Sequence, residues 1–134
     1  MTIKKLIPAA LAIGALAVTV PAVAAHDDNQ RGEARLATIL NGRTAGKPVH
    51  CLDISQRRNM QVVDRTALVF KDGDTYYVNR PDGVGFLTWS DIPVFKTWGS
   101  ELCSKDLVHL HDSSTFMPGA TMFMGEFVPY RRNG

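Results

Sequence analysis

The pattern of apolar and polar positions is clearest in the segment TALVFKDGDTYYVN, residues 66–79. Two runs of β-branched and aromatic residues flank Asp72-Gly73, a dipeptide typical of a two-residue hairpin turn. In that register Lys71 faces Asp74, Val69 faces Tyr76 and Leu68 faces Tyr77. Apolar side chains then lie on both faces of the ribbon, which predicts that other parts of the chain cover both. One face carries Leu68, Phe70 and Tyr77, and the other carries Ala67, Val69, Tyr76 and Val78.

An N-terminal helix is predicted at about residues 29–41. Leu36, Ile39 and Leu40 recur at the i, i+3, i+4 spacing of one helical face, and Asn41-Gly42 offers a left-handed stop. We expect this helix to pack on an open sheet face.

Further short strands are predicted between clusters of Gly, Pro, Ser and Asp, at residues 49–54, 84–88, 93–98, 106–111 and 121–128. Together with the central ribbon they make six to seven short strands. The sequence therefore predicts a mainly β protein, a small antiparallel barrel or curled sheet with one N-terminal helix.

The first residues have the pattern of a secretory signal peptide. Lys4 and Lys5 precede an uncharged apolar run, and the small-residue sequence Ala22-Val23-Ala24 follows it. We predict a signal peptide at residues 1–24, a single small β domain at 25–134, and a periplasmic or secreted protein. The apolar run is shorter than the roughly 20 residues of a spanning helix, so no stable membrane span is expected after leader cleavage.

Charge argues against a nucleic-acid partner. Two of the 15 basic residues lie in the leader, and the remaining 13 match the 13 acidic residues. No run of Lys and Arg exceeds two residues, whereas nucleic-acid binding needs clustered cations.

The only cysteines, Cys51 and Cys103, are a candidate disulfide, because an exported protein meets an oxidising compartment. A redox-active pair is the alternative, but such pairs usually have the Cys-x-x-Cys spacing. Two buried thiols are the other structural interpretation.

A His-x-His pair lies in the predicted strand near residue 110. The two-residue period of a strand puts Leu107, His109 and His111 on one face, and alternate imidazoles can converge on zinc or copper. Met117, Met122 and Met124 could add thioethers downstream, which suit copper(I). The opposing interpretation is an ordinary surface pair, because the pattern supplies too few ligands. Met122 and Met124 are then core packing.

The loop SSTFMPG, residues 113–119, places two apolar side chains between polar and turn residues. We expect Phe116 and Met117 to be exposed there and to mark a partner or ligand surface. The aromatic residues Trp89, Phe95 and Trp98 are instead expected to form the main core rather than a ligand platform.

No catalytic motif is present: the sequence lacks Gly-x-Ser-x-Gly, Ser-x-x-Lys and His-Glu-x-x-His. Isolated carboxylates near turns are usually caps or ion-pair partners, and we predict this role for Asp53, Asp64, Asp106 and Glu126. No catalytic residue and no cofactor is predicted.

The function predicted from these features is a non-catalytic binding or structural β-domain of the cell envelope, with an envelope protein or a small ligand as partner. The proposed binding residues are His109, His111, Phe116 and Met117. Two alternatives stay open: binding of copper or zinc by His109 and His111, and a small periplasmic enzyme inhibitor that inserts a loop.

Several phrases also resemble a known family in the same order. They are GKPVHCLDI, VVDRTALVF, TYYVNRP, ELCSKDLV and GEFVPYRR. The chain from Gly46 to Arg132 resembles a family of small exported proteobacterial proteins with a domain of unknown function. The resemblance implies no activity, cofactor or catalytic residue.

The resemblance also bears on the cysteines. Members of that family often carry two more cysteines, one before the segment that reads GVGFLTWS here and one near TMFMGEF. If those residues are the usual partners of Cys51 and Cys103, the two would be unpaired thiols in this chain.

Overall fold

A computed structural model describes residues 25–133 and the isolated residue Gly14. Apart from Gly14, the predicted leader at residues 1–24 lies outside the described residues. Within the described part of the chain, no helix combines the length and apolarity needed to cross a membrane.

The described chain contains one α-helix and ten strands in three antiparallel sheets. The helix α1 spans Ala25–Ile39. The strands are β1 Arg43–Ala45, β2 Cys51–Asp53, β3 Met60–Val63, β4 Ala67–Asp72, β5 Thr75–Asn79, β6 Asp91–Lys96, β7 Glu101–Cys103, β8 Leu107–Asp112, β9 Pro118–Phe123 and β10 Phe127–Arg132. The sheet orders are β1-β10-β5-β4-β3, β2-β7 and β6-β8-β9. The prediction of a mainly β fold is confirmed, but the sheets do not close into a barrel and the strands outnumber the predicted six to seven.

The central hairpin of β4 and β5 turns one residue later than predicted. Asp72 pairs with Thr75, so the two turn residues are Gly73 and Asp74. Gly73 has a positive φ of 56° and Asp74 does not, the arrangement of turns in which the first central residue must be glycine. Phe70 therefore lies opposite Tyr77, two residues from the predicted register. A shift of two preserves every side chain's face, so the predicted faces are correct.

Both faces of this hairpin are covered, as predicted. On one face, Leu36 of α1 packs against Val63, Val69 and Val78. The other face contributes Leu68 and Phe70 to a larger core formed with the other two sheets. The molecule is thus layered as helix, five-stranded sheet, and a second β layer.

The helix approaches the sheet closely at Gly32. A Cβ atom there would lie 1.9 Å from Thr66 Oγ1 and 2.6 Å from the Asp64 carbonyl oxygen, both in the turn between β3 and β4. Only glycine allows this approach without displacing the helix. The helix begins at Ala25, earlier than the predicted residue 29, and Gly42 with a φ of 74° provides the left-handed conformation expected after it.

Aromatic packing joins the two β layers. The Phe70 ring contacts Phe127 at a centroid distance of 5.6 Å and Phe95 of β6 at 6.1 Å. The expectation that Trp89 and Trp98 join this core is wrong, because they are 75% and 88% exposed. Short loops hold both indoles, and Leu87, Leu102 and Leu110 fill the interior instead.

Two of the predicted strands take other forms. Residues 84–88 contain a single 3₁₀ turn, Val84–Phe86, that follows Gly83 at a φ of 84°. The predicted strand 121–128 is split into β9 and β10, because the buried Asn79 side chain bonds both the N–H and the carbonyl of Gly125, at 2.9 and 2.7 Å. These bonds interrupt strand pairing at Gly125.

Cys51 and Cys103 are joined in a disulfide between directly paired positions of β2 and β7. The candidate disulfide is confirmed, and the alternative of two unpaired thiols is wrong. His50 and Ser104, next to the disulfide, also connect the two strands. The Ser104 amide donates to the His50 carbonyl oxygen at 2.8 Å, and the Ser104 hydroxyl lies 2.7 Å from His50 Nδ1.

Loss of the disulfide is expected to lower the free energy of unfolding. The bridge spans 52 residues, and the chain-entropy relation gives about 4 kcal/mol for a loop of that length. Urea denaturation with and without reductant measures the change. The control is Cys51→Ala/Cys103→Ala, which should already show the lowered midpoint and not respond to reductant. An unchanged midpoint on reduction of the natural chain would contradict the expectation.

Gly32→Ala is expected to destabilise the protein by roughly 1–3 kcal/mol, the usual range for overpacking, because the new methyl group collides with the turn between β3 and β4. The matched control is Gly85→Ala, where an added Cβ meets nothing within 4 Å. Equal denaturation midpoints for the two variants would refute the close docking of α1.

Candidate functional site

The outward side of the β6-β8-β9 sheet carries the predicted histidines. On β8, Val108 and Leu110 point into the core and are buried, whereas Leu107, His109 and His111 are partly exposed. The predicted assignment of the two histidines to one strand face is therefore confirmed. The core fixes this choice of face, because Val108 lies between Phe95 and Met122 in the inward row of the sheet.

Neighbouring strands surround the histidines with exposed apolar groups. Val94 and Thr121 flank His109, Ile92 and Pro118 flank His111, and Lys96 and Phe123 flank Leu107. Ile92, Val94 and Phe123 are between 41% and 49% exposed. We define the outer face as Ile92, Val94, Lys96, Leu107, His109, His111, Thr121 and Phe123. It is a partly apolar patch with few charges, a composition that marks interaction sites.

Both imidazoles are held through Nδ1. His109 Nδ1 lies 2.9 Å from Thr121 Oγ1, and His111 Nδ1 lies 3.4 Å from the carbonyl oxygen of Phe116. A carbonyl oxygen accepts only, so Nδ1 of His111 donates and Nε2 carries the lone pair of the neutral ring. Such a bond fixes the ring orientation that a metal ligand needs.

The loop between β8 and β9 is organised by the carboxylate of Asp112. Asp112 Oδ1 accepts hydrogen bonds from the hydroxyl and amide groups of both Ser114 and Thr115. These bonds, the Ser114 hydroxyl first among them, lower the pKa of Asp112 from 3.8 to about 2. The carboxylate stays ionised at neutral pH and keeps the loop in one conformation.

Phe116, at the tip of this loop, has a positive φ of 56° although it is a bulky aromatic residue. Its amide donates to the Asp112 carbonyl at 2.8 Å, and the Asp112 amide donates to the Met117 carbonyl at 3.0 Å, which closes the loop. Glycine or asparagine is usual in this left-handed region, which costs other residues roughly 1–2 kcal/mol. Phe116 is nevertheless 70% exposed and Met117 64% exposed, as the sequence predicts.

One chain supplies two candidate ligands, His109 and His111, for the predicted metal site. Among the described residues, the only group of three His, Cys, Asp or Glu side chains within ligand distance is Cys51, Glu101 and Cys103, and its cysteines form the disulfide. Met122 and Met124 are buried core residues, as the packing interpretation predicts. His109 and His111 remain the pair that could hold an ion, with two further ligands required from outside the chain.

Two of the four candidate carboxylates, Asp53 and Asp106, serve as caps in separate parts of the structure, whereas the buried Asp64 Oδ1 has no hydrogen-bond partner among the described residues. Asp53 accepts from the Ser55 amide at 2.8 Å, and Ser55, through its hydroxyl first and its amide second, lowers the Asp53 pKa. Asp106 accepts from the Cys103 amide at 2.7 Å. The pair of His50 and Ser104 was not predicted, and no sequence motif indicates it, because 54 residues separate its members. Its place beside the disulfide gives it a structural role between the ends of β2 and β7.

Two concave regions lie beside the sheets, and one of them reaches the margin of the outer face at Val94. A cavity of about 360 Å³ separates α1 from Trp89 and is lined by Arg31, Arg35, Arg65 and Asp64, among others. A second groove, of about 420 Å³, runs beside the exposed edge of β6 at Arg58, Met60 and Val94. Pro93 sits in the middle of that edge strand and has no N–H to donate. The outer face itself is a surface for contact and not a pocket.

Ile92, Val94 and Phe123 are the site residues that the sequence did not reveal. β6 reads DIPVFK, with apolar residues on both faces, so the period of two alone does not show which face points outward. Comparison with protein-family models, with curated proteins and with solved structures found no match for this chain.

Protonation of Asp112 is expected to release the loop at low pH. Because the folded pKa is lower than the ordinary 3.8, the stabilisation is complete above about pH 4 and is lost as the pH falls through about 2. The amide NMR shifts of Ser114 and Thr115 should follow this transition with a midpoint near 2. In Asp112→Asn they should no longer do so. A midpoint near 3.8 in the natural chain would show that the carboxylate is not held by these bonds.

Proposed function

We propose that the protein is an exported, non-catalytic binding domain of the cell envelope that contacts a partner protein through the outer face and the loop tip at Phe116 and Met117. The observation that carries this proposal is Phe116 itself: an exposed aromatic side chain kept at positive φ in a well-bonded loop. Backbone strain of this kind often accompanies function.

The energetics of the loop support the proposal. Asparagine or glycine at position 116 would relieve backbone strain and remove an exposed apolar ring, so the folded state alone does not explain phenylalanine there. The hydrogen bonds of Asp112 hold the backbone of the loop that carries Phe116, which lowers the backbone entropy lost when a partner binds.

The form of the surface supports a protein as partner. The outer face is apolar at Ile92, Val94 and Phe123 and is bordered by a groove only at its Val94 margin, whereas small-molecule sites are usually enclosed. Export to the periplasm or the medium is supported by the leader pattern and by the disulfide. The five sequence phrases support a relationship to the small exported proteobacterial proteins that the chain resembles.

Metal binding by His109 and His111 is the second candidate function. It is favoured by one observation, that His111 Nδ1 donates to the Phe116 carbonyl oxygen and leaves Nε2 as the nitrogen that can coordinate, while His109 Nδ1 lies within hydrogen-bond distance of the Thr121 hydroxyl. A small periplasmic enzyme inhibitor is a special case of the first proposal, in which the tip at Phe116 enters an active site. Assays against a panel of cell-wall hydrolases and proteases test that case.

Phe116→Asn is expected to raise the free energy of unfolding and, at the same time, to weaken partner binding. The variant should be up to about 1 kcal/mol more stable, because asparagine tolerates positive φ, while partner capture should fall at least tenfold. Denaturation measures the first effect. Photo-crosslinking in the host cell, with a photoreactive residue in place of Val94, measures the second.

Two matched controls apply to this experiment. Lys105→Asn relieves a comparable strain at a φ of 75° outside the tip and should leave the adduct unchanged. A photoreactive residue at Ala37, exposed on α1 on the opposite side of the five-stranded sheet, should give no adduct that depends on Phe116. Equal adducts at positions 94 and 37, or an adduct at 94 that persists in Phe116→Asn, would overturn the proposal.

A further inference from the structure

The concave region between α1 and Trp89 is a second surface of the molecule with the form of a binding site. It has a volume of about 360 Å³ and shares no residue with the outer face. Sites for small ligands usually measure roughly 300–1,000 Å³. We call this region the arginine cleft, and define it by Asp28, Arg31 and Arg35 of α1, Asp64 and Arg65 of the turn between β3 and β4, and Trp89.

The helical residues of the arginine cleft follow from the sequence of α1. Asp28, Arg31 and Arg35 have the i, i+3, i+7 spacing of one helical face, so the helix places all three side chains along the same side of the cleft. That face points toward the turn between β3 and β4 and not to open solvent, because Gly32 brings the helix against the turn.

The arginine cleft carries more positive than negative charge. Three guanidinium groups and two carboxylates line it, which leaves a formal charge of +1. Asp28 is shared between Arg31 at 3.8 Å and Arg65 at 3.5 Å, and both ion pairs are half-exposed, so each contributes little. Arg35 forms no ion pair with any described residue. Since a guanidinium has five N–H donors, most of the donors in the cleft are available to an anion.

The two sides of the arginine cleft are connected by hydrogen bonds. The Arg65 amide donates to the Leu87 carbonyl oxygen at 2.8 Å, which joins the turn between β3 and β4 to the loop that carries Trp89. In that loop, the Asp91 carboxylate accepts from the amide and the hydroxyl of Thr88, at 2.8 and 2.9 Å. The cleft is therefore formed before a ligand arrives, as ligand sites usually are.

Two features of the arginine cleft are unfavourable for the folded chain alone. Arg65 has a positive φ of 51°, a conformation in which glycine or asparagine is usual. Trp89 is 75% exposed, although burial of an indole would stabilise the fold. Backbone strain and exposed aromatic side chains often accompany binding sites, and here both occur in one cleft.

The lining groups define the chemistry of the ligand. Guanidinium groups bind carboxylates in bidentate pairs, so the ligand has an acidic group. The indole of Trp89 offers a flat apolar face, against which a ring packs. The Asp64 carboxylate accepts hydrogen bonds only, so the ligand also has donors such as hydroxyl groups. A sugar that carries a carboxylate combines the acidic group, the ring and the hydroxyl groups in one molecule.

We propose that the arginine cleft binds an anionic sugar of the uronic acid type, with its carboxylate on Arg35 and Arg65 and its ring against Trp89. This site goes beyond the proposed function, because it takes a small ligand at residues that the outer face and the loop tip do not include.

Isothermal titration calorimetry of the purified protein with D-glucuronate and D-galacturonate tests the inference. At least one of them should bind with a dissociation constant of about 1 mM or lower, the range expected for a ligand of this size. D-glucose, which lacks the carboxylate, and inorganic phosphate, which lacks the ring, should each bind roughly tenfold more weakly or not at all. Added salt should weaken the binding of the uronate.

The decisive variants are Arg35→Gln and Trp89→Ala. Arg35→Gln should weaken uronate binding roughly tenfold or more, and Trp89→Ala roughly threefold or more, because each removes a direct contact. The matched controls are Arg132→Gln, at the exposed end of β10, and Trp98→Ala, which removes an indole that is 88% exposed. Neither residue lines the cleft, so both controls should bind like the natural chain. Denaturation midpoints show whether all four variants fold.

Four results would overturn the inference: no binding of either uronate, glucose or phosphate bound as tightly as the uronate, a uronate affinity unchanged in Arg35→Gln, or equal losses in Trp89→Ala and Trp98→Ala. The proposed function fails on different evidence, which is a host-cell adduct at position 94 that does not depend on Phe116. A Phe116-dependent adduct together with no uronate binding would retain the proposed function and reject the sugar site.

Discussion

Burial of both faces of β4 is the constraint on which the rest of the structure depends. Every residue from Ala67 to Phe70 is at most 1% exposed, so neighbouring side chains of one strand enter two different cores. Val69 needs α1 above it, and Phe70 needs the second β layer below it. A sheet with this strand in its interior is stable only when both layers are in place, which explains a helix that docks closely enough to require Gly32.

The candidate site derives its geometry from the same packing. The Phe70 ring contacts Phe95 of β6, and the inward row of Phe95, Val108 and Met122 continues that contact across the second layer. Because strand side chains alternate, a filled inward row determines which residues point outward. A slip of one residue on β8 would bury two imidazoles and expose Val108 and Leu110. Both changes would lower the free energy of unfolding.

Local patterns predicted those parts of the fold that local physics decides. The two-faced β4 and β5 ribbon, the strand face of His109 and His111, and the exposed tip at Phe116 all follow from side-chain alternation or turn composition. The strand break at Gly125 did not, because it depends on hydrogen bonds from Asn79, 46 residues away. The exposure of Trp89 and Trp98 depends on how three sheets divide the interior, which composition does not specify. For the same reason the outer-face residues Ile92, Val94 and Phe123 could be identified only from the strand order of the structure.

Pro93 makes the exposed edge of β6 a poor template for strands of other molecules. An exposed sheet edge can recruit strands from other molecules without limit, and this is how fibrils and amorphous aggregates grow. A residue without an amide hydrogen in the middle of β6 interrupts the donor row that an incoming strand would need. Addition of a strand along the β6 edge is therefore disfavoured, while the exposed apolar side chains Ile92 and Val94 on the flat of the sheet stay available for contact.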